Sequence, residues 1–207
     1  LFLVGLSYLA KGEKRTYLLF SLAAACFHYS AFVLPLLTFF GSRPLTLRGR
    51  LVIGAIPLLG YLLFFGGFDP IASLPIPWIQ EKLWIYERLR DSGMAGDAIN
   101  VFNIVYVMRL LVFYLLLWKY DVIKEQAPNL SLLLKVFAIS YFCFTALGAL
   151  PVMAFRYAEL FGVVEIVMVP YLALTMKPEA FGKSLVIVFA FGCMMLNVFY
   201  NELLKLS

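Results

Sequence analysis

The chain has 207 residues, of which 63% are hydrophobic and 14% charged, with a mean hydropathy of +0.92. Soluble domains are about 45–50% apolar and about 25% charged, and a chain this apolar would expose adhesive patches in water. That excludes a cytosolic enzyme, a secreted module and a disordered region, and leaves an all-α polytopic membrane protein. The net charge of +5 comes from Lys and Arg spread through connecting segments, as expected near anionic lipid, so nucleic acid is not an expected partner.

A spanning helix needs about 20 mainly apolar residues. In chain order, 1–10 reads as the tail of a helix, and the runs 17–40, 51–68, 101–118, 132–154, 160–175 and 184–200 read as spans. The expectation is one transmembrane domain over 1–207, a helical bundle of about six spans plus a partial N-terminal helix. The first residue is not Met and lies in mid-helix, so the chain is read as the C-terminal part of a longer protein. The connections 11–15, 41–50, 119–131 and 176–183 are compact, the first two carry three Lys or Arg each, and a short connection after Met153 contains Arg156.

The long connection is 69–100, where acidic residues outnumber basic ones. Pro75 and Pro77 precede WIQEKLWIYERLRD, which is helix-start punctuation. An amphipathic helix near 78–91 is expected to lie in the membrane interface, anchored by Trp78, Trp84 and Tyr86.

The run 17–40 admits two readings. As one helix it would reach about 36 Å and put the basic loops 11–15 and 41–50 on opposite sides. Broken near His28, it would dip in and return, leaving both basic loops on one side and the acidic loop on the other. The positive-inside rule favours neither under strict alternation.

Cys26, Cys143 and Cys193 lie in apolar runs without paired spacing and read as buried small hydrophobes. With a single histidine, no metal site is expected, and no cofactor either.

Ionisable groups inside spans cost free energy and are candidates for function. They are His28, Arg109 and Glu165, with Arg156 at the edge of its run. An Arg at a helix centre costs about 2.5–3.5 kcal/mol on insertion scales. Its Val, Leu, Ile and Phe neighbours return about 0.3–0.6 kcal/mol each, so the segment inserts with Arg109 facing protein. Each residue also has a structural reading. Arg109 and Glu165 can neutralise each other, His28 can be a hydrogen-bonded core residue, and Arg156 can snorkel to the interface. Pro35, Pro151 and Pro170 read as kinks.

The stretch KGEKRTYLLFSLAAACFHYSAFVLPLL resembles the EpsG-type polysaccharide polymerase family, in its basic loop, Ala-rich run and His28-x-Ser30-Ala31. FRYAELFGVVEIVMVP is similar to the family's later Arg-aromatic helix ending in Pro, through Arg156, Tyr157, Glu165 and Pro170. The resemblance implies an Arg-Gln motif upstream of Leu1. It also implies a Wzy-like, multi-pass polymerase of O-antigen, capsule or exopolysaccharide in the bacterial inner membrane. Such an enzyme passes a growing glycan from one undecaprenyl-pyrophosphate-linked unit to the next, beside a flippase and a chain-length regulator. In that chemistry Arg156, with Arg109 second, would hold the pyrophosphate, since guanidinium offers a charged fork to phosphate oxygens. His28 or Glu165 would accept the proton of the attacking hydroxyl. Tyr157, Trp78 and Trp84 are candidate glycan contacts. A lipid-linked oligosaccharide flippase or other transporter, a membrane acyltransferase using His28, and a scaffold remain alternatives.

Overall fold

The computed structural model describes residues 1–67, 73, 77, 80, 81, 84, 85, 88, 92 and 99–199. Among the described residues every regular element is helical. Helices α1 (Phe2–Ala10) and α2 (Lys14–Phe27) form an antiparallel pair. Their link turns at Gly12, whose φ of +85° is open to glycine at no steric cost. A 3-10 helix, Tyr29–Phe39, follows. Then come α3 (Leu47–Phe65), α4 (Ile104–Trp118), α5 (Tyr120–Ile123) and α6 (Leu130–Ala146). The chain continues as α7 (Pro151–Gly162), α8 (Glu165–Met168), a second 3-10 turn (Val169–Thr175) and α9 (Glu179–Phe199).

Among the described residues three segments are long and apolar enough to cross a membrane: Leu47–Phe65, Pro151–Thr175 and Glu179–Leu196. Tyr29–Phe39, Ile104–Trp118 and Leu130–Ala146 are shorter apolar helices. The exposed faces of α3 and α9 carry Leu51, Val52, Leu62, Ile187, Val188 and Phe191, a surface suited to hydrocarbon rather than water.

Helix α6 is the centre of the bundle. It is apolar around most of its circumference, and such a helix must be covered on most sides. Leu130, Leu132, Leu134, Val136 and Ala138 are fully buried, as is Thr145. Packing against α3 is close at Gly60, where an added Cβ would lie 2.0 Å from Thr145 Oγ1 and 3.2 Å from the Phe142 carbonyl oxygen. Small residues at such a crossing let helices approach in the absence of a hydrophobic drive between them.

The segment 17–40 is broken at His28. Its backbone is extended there (φ −150°, ψ 119°), and the chain reverses. Tyr17 Oη, early in α2, donates to the Leu34 carbonyl at 2.6 Å, midway along the 3-10 leg. Ser42 Oγ then donates to the Ala10 carbonyl at 2.9 Å, so the chain has come back to the end of α1. The two legs match, since 14 α-helical residues and 11 3-10 residues extend about 21 and about 22 Å. Pro35 lacks an N–H and disfavours an α-helical return leg. The basic loops 11–15 and 41–50 therefore lie at one end of the bundle, as the re-entrant reading requires.

The remaining connections sort by the same contacts. Ser131 Oγ donates to the Ser42 carbonyl at 2.8 Å, and Arg50 pairs with Asp121 at 2.9 Å, which brings 119–131 to the basic end. At the opposite end Ile99 N–H donates to the Gly148 carbonyl at 3.1 Å, and Tyr61 Oη donates to the Val101 carbonyl at 3.0 Å. The long connection leaves and returns there, and this is termed the loop end below.

Two boundaries differ from hydropathy. The run 132–154 stops at Ala146, and the turn is 147–150. Pro151 occupies the first helical position of α7, where its fixed φ and missing N–H cost nothing, so it starts a helix rather than kinking one. Arg156 consequently lies inside α7 rather than in a connection after Met153. The turn LGAL is as apolar as its flanks, so a hydropathy window passes over it.

Candidate functional site

Two groups of polar side chains occupy the bundle. The first lies toward the loop end, where the re-entrant hairpin turns. His28 caps the 3-10 leg, its Nδ1 accepting the Ser30 N–H at 3.2 Å. A nitrogen that accepts a backbone N–H carries no proton, so the neutral ring presents Nε2–H as its free polar group. The imidazole stacks on Tyr29 with centroids 5.2 Å apart and planes at 17°. Arg156 Nη1 donates to Tyr29 Oη, and its guanidinium carbon is 5.5 Å from the Tyr29 ring centroid. His28, Tyr29 and Arg156 are all exposed. Arg156 is five residues into α7, about 7–8 Å from its start.

The second group lies nearer the middle. Arg109 Nε of α4 donates to Glu165 Oε2 of α8, with side chains 22% and 15% exposed. The Arg109 guanidinium also stands 5.2 Å from the Tyr106 ring centroid. Gly162 lies beside it, and a Cβ there would crowd Ser140 Oγ at 3.0 Å while only touching Arg109 Nη2 at 3.5 Å. A charge in hydrocarbon needs a partner, and each of these residues supplies the other's.

The pair forms part of the wall of a cavity of about 890 Å³ between α4, α7, α8 and α9. Val105, Phe155, Ile166, Val186 and Phe189 make most of it apolar. Asn103, which caps α4 by accepting the Val105 N–H at 3.0 Å, Tyr106 and Glu159 supply polar groups.

Of the residues singled out from sequence, the structure joins Arg109 to Glu165, and links Arg156 to His28 through Tyr29. His28 is exposed, not a core residue. Tyr157 is half-buried and packs on the core. Trp84 is exposed, with the Arg88 guanidinium 3.9 Å from its ring centroid. Trp78 and most of the helix expected near 78–91 lie outside the described residues, though Gln80, Glu81, Trp84, Ile85 and Arg88 are helical. Cys26 is exposed and Cys143 and Cys193 half-buried, so burial does not account for all three cysteines. Sequence reasoning missed Tyr29, Tyr106 and Glu159. The signal for Tyr29 was its place beside the lone histidine at a break. Glu159 sits one turn beyond Arg156 on the same helix.

A model described as the EpsG family matches residues 1–206. The chain belongs to the EpsG family. No curated protein and no solved structure matches it. Membership and the apolar helices together make it a membrane protein of a family that suggests polysaccharide polymerisation.

Proposed function

We propose that the chain polymerises a bacterial cell-surface polysaccharide, transferring glycan between undecaprenyl-pyrophosphate-linked units at the outer face of the cytoplasmic membrane. The observation that carries this reading is the placement of Arg156 at an exposed break in the bundle, bonded to Tyr29 and near His28. A pyrophosphate leaving group needs fixed positive charge and N–H donors where its negative charge grows. Arg156 offers the charge, and His28 Nε2–H offers a neutral donor beside it. Two basic loops gathered at one end favour that end as cytoplasmic, which supports an external location for the loop end and this cluster. The largely apolar cavity suits the polyprenyl chain or the lipid-proximal part of a substrate. O-antigen, capsule and exopolysaccharide are equally served by this arrangement, and a flippase and chain-length regulator would be its working partners.

The test uses a polymer-negative host complemented with the full-length gene, wild type or His28→Ala, with lipid-linked glycans separated by size. Wild type is expected to restore a ladder, and the mutant to accumulate single lipid-linked units on the outer leaflet. Units held on the cytoplasmic leaflet would assign the protein to flipping instead.

A further inference from the structure

In glycosyl transfer from a diphosphate the proton of the attacking hydroxyl must be taken up, and a positioned side chain speeds this step by about 10²–10⁴-fold. The two residues that the sequence offers for that task are both committed. Glu165 is tied to Arg109 by an ion pair within the bundle, so using it as a base would leave a guanidinium without its counter-charge. His28 spends its Nδ1 lone pair on the Ser30 N–H and presents a proton, not a lone pair, at Nε2.

Glu159 is uncommitted. It is exposed, it lines the cavity, and it pairs with no cation among the described residues. It stands three residues after Arg156 on α7, a spacing that puts two side chains on one helix flank with Cβ atoms about 5–6 Å apart. One rigid element thus carries a cation suited to the leaving group and a free carboxylate suited to the nucleophile. Tyr106 and Asn103 border the same cavity.

We infer that Glu159 is the general base of the transfer, a reading that rests on the polymerase assignment above. In the step, the acceptor hydroxyl oxygen attacks the anomeric carbon of the donor glycan. A carbon–oxygen bond forms there as the bond from that carbon to the pyrophosphate oxygen breaks. The electron pair leaves on undecaprenyl pyrophosphate, held by Arg156, and the hydroxyl proton goes to the Glu159 carboxylate. His28 Nε2–H serves the leaving-group side as a donor. Arg109 and Glu165 hold α4 to α8 and take no part in proton transfer.

The experiment assays the full chain in membrane vesicles supplied with undecaprenyl-pyrophosphate-linked repeat units isolated from the polymer-negative host. Glu159→Gln should lower kcat by about 10²–10⁴-fold, the usual contribution of a general base, with KM changed less than about threefold. It should also erase the acidic limb of the kcat/KM profile, a change that a merely structural role would not produce. Glu159→Asp, which retains the carboxylate but withdraws it, should lower kcat and keep that limb. It decides the matter if Glu159→Gln does not accumulate. Activity of Glu159→Gln within about threefold of wild type, or of Glu159→Asp equal to wild type, overturns the assignment and leaves polymerase function standing. No polymer from the wild-type chain overturns the polymerase reading and this inference with it.

Discussion

Arg109 stands mid-span in sequence and Arg156 at the edge of its run, yet both fall within helices of the bundle, and the fold treats them differently. Arg109 meets a carboxylate across a helix interface and has its charge cancelled. Among the described residues Arg156 meets a neutral phenol and stays exposed. A guanidinium satisfied by Glu165 has little left to offer an anion, whereas one that leans on a tyrosine keeps its full charge available. The comparison teaches that an intramembrane charge alone does not mark a site. What marks it is a charge whose fold-supplied partner leaves its electrostatics unspent.

The sharpest way to break this contrast is to remove each arginine in turn. Arg156→Ala is expected to cost about 10²–10³-fold in polymer formation, the effect of losing a main transition-state donor, while protein still reaches the membrane. Arg156→Lys should recover only part, since ammonium cannot present a planar fork. Polymer chains of normal amount and length from Arg156→Ala would remove that residue from the mechanism. Arg109→Leu should act through stability instead. Stranding the Glu165 carboxylate is expected to destabilise the bundle by about 3–5 kcal/mol. Arg109→Leu with Glu165→Leu should regain most of that, and most of the activity. Thermal denaturation in detergent checks the first, and a double-mutant cycle the second. A double variant that is stable but inactive would show that the pair does more than hold helices.

How much of this was legible beforehand differs by element. Composition alone gave the membrane class, because no soluble surface tolerates such apolarity. The Arg109–Glu165 pair was legible too, since two opposite charges in hydrocarbon seek each other. The re-entrant turn was half legible. A break near His28 would gather the basic loops 11–15 and 41–50 on one side, but a break that does not change the hydropathy of 17–40 leaves a continuous helix equally plausible. The contact between Tyr29 and Arg156 joins residues 127 apart, and nothing in either local stretch announces it. Glu159 was passed over because it falls between the runs 132–154 and 160–175, where an acidic residue looks like part of a connection. Only when Pro151 is seen to begin the helix does Glu159 fall inside it.

A smaller effect tests the scaffold that places both arginines. At Gly60→Ala the new methyl would collide with Thr145 Oγ1 on the central helix, and overpacking of this kind costs about 1–3 kcal/mol. Thr145→Ala should relieve part of it, because it removes the atom that is struck. The reading is a lowered midpoint for Gly60→Ala and a partial return for the double variant. Equal stability of Gly60→Ala and wild type would mean that α3 and α6 are free to move apart.

The smallest expected effect lies at the basic end and measures what charge pairing is worth outside the bilayer. Asp121 accepts from Lys124 Nζ at 2.8 Å and pairs with Arg50 at 2.9 Å. Its carboxyl is held below the usual carboxylate range, first by the Lys124 hydrogen bond and then by the Arg50 charge. A carboxylate with a depressed folded pKa contributes stability above its unfolded pKa and loses it as pH falls through the folded one. Asp121→Asn should therefore lower the thermal midpoint slightly at neutral pH, and the difference from wild type should vanish below the folded pKa. Added salt should shrink the difference as well, because these exposed charges are screened by solvent ions. The Arg109→Leu deficit should barely respond to salt, because Glu165 is shielded from the ions. If both deficits fell alike with ionic strength, the distinction between a pair spent on the fold and a charge open to solvent would collapse.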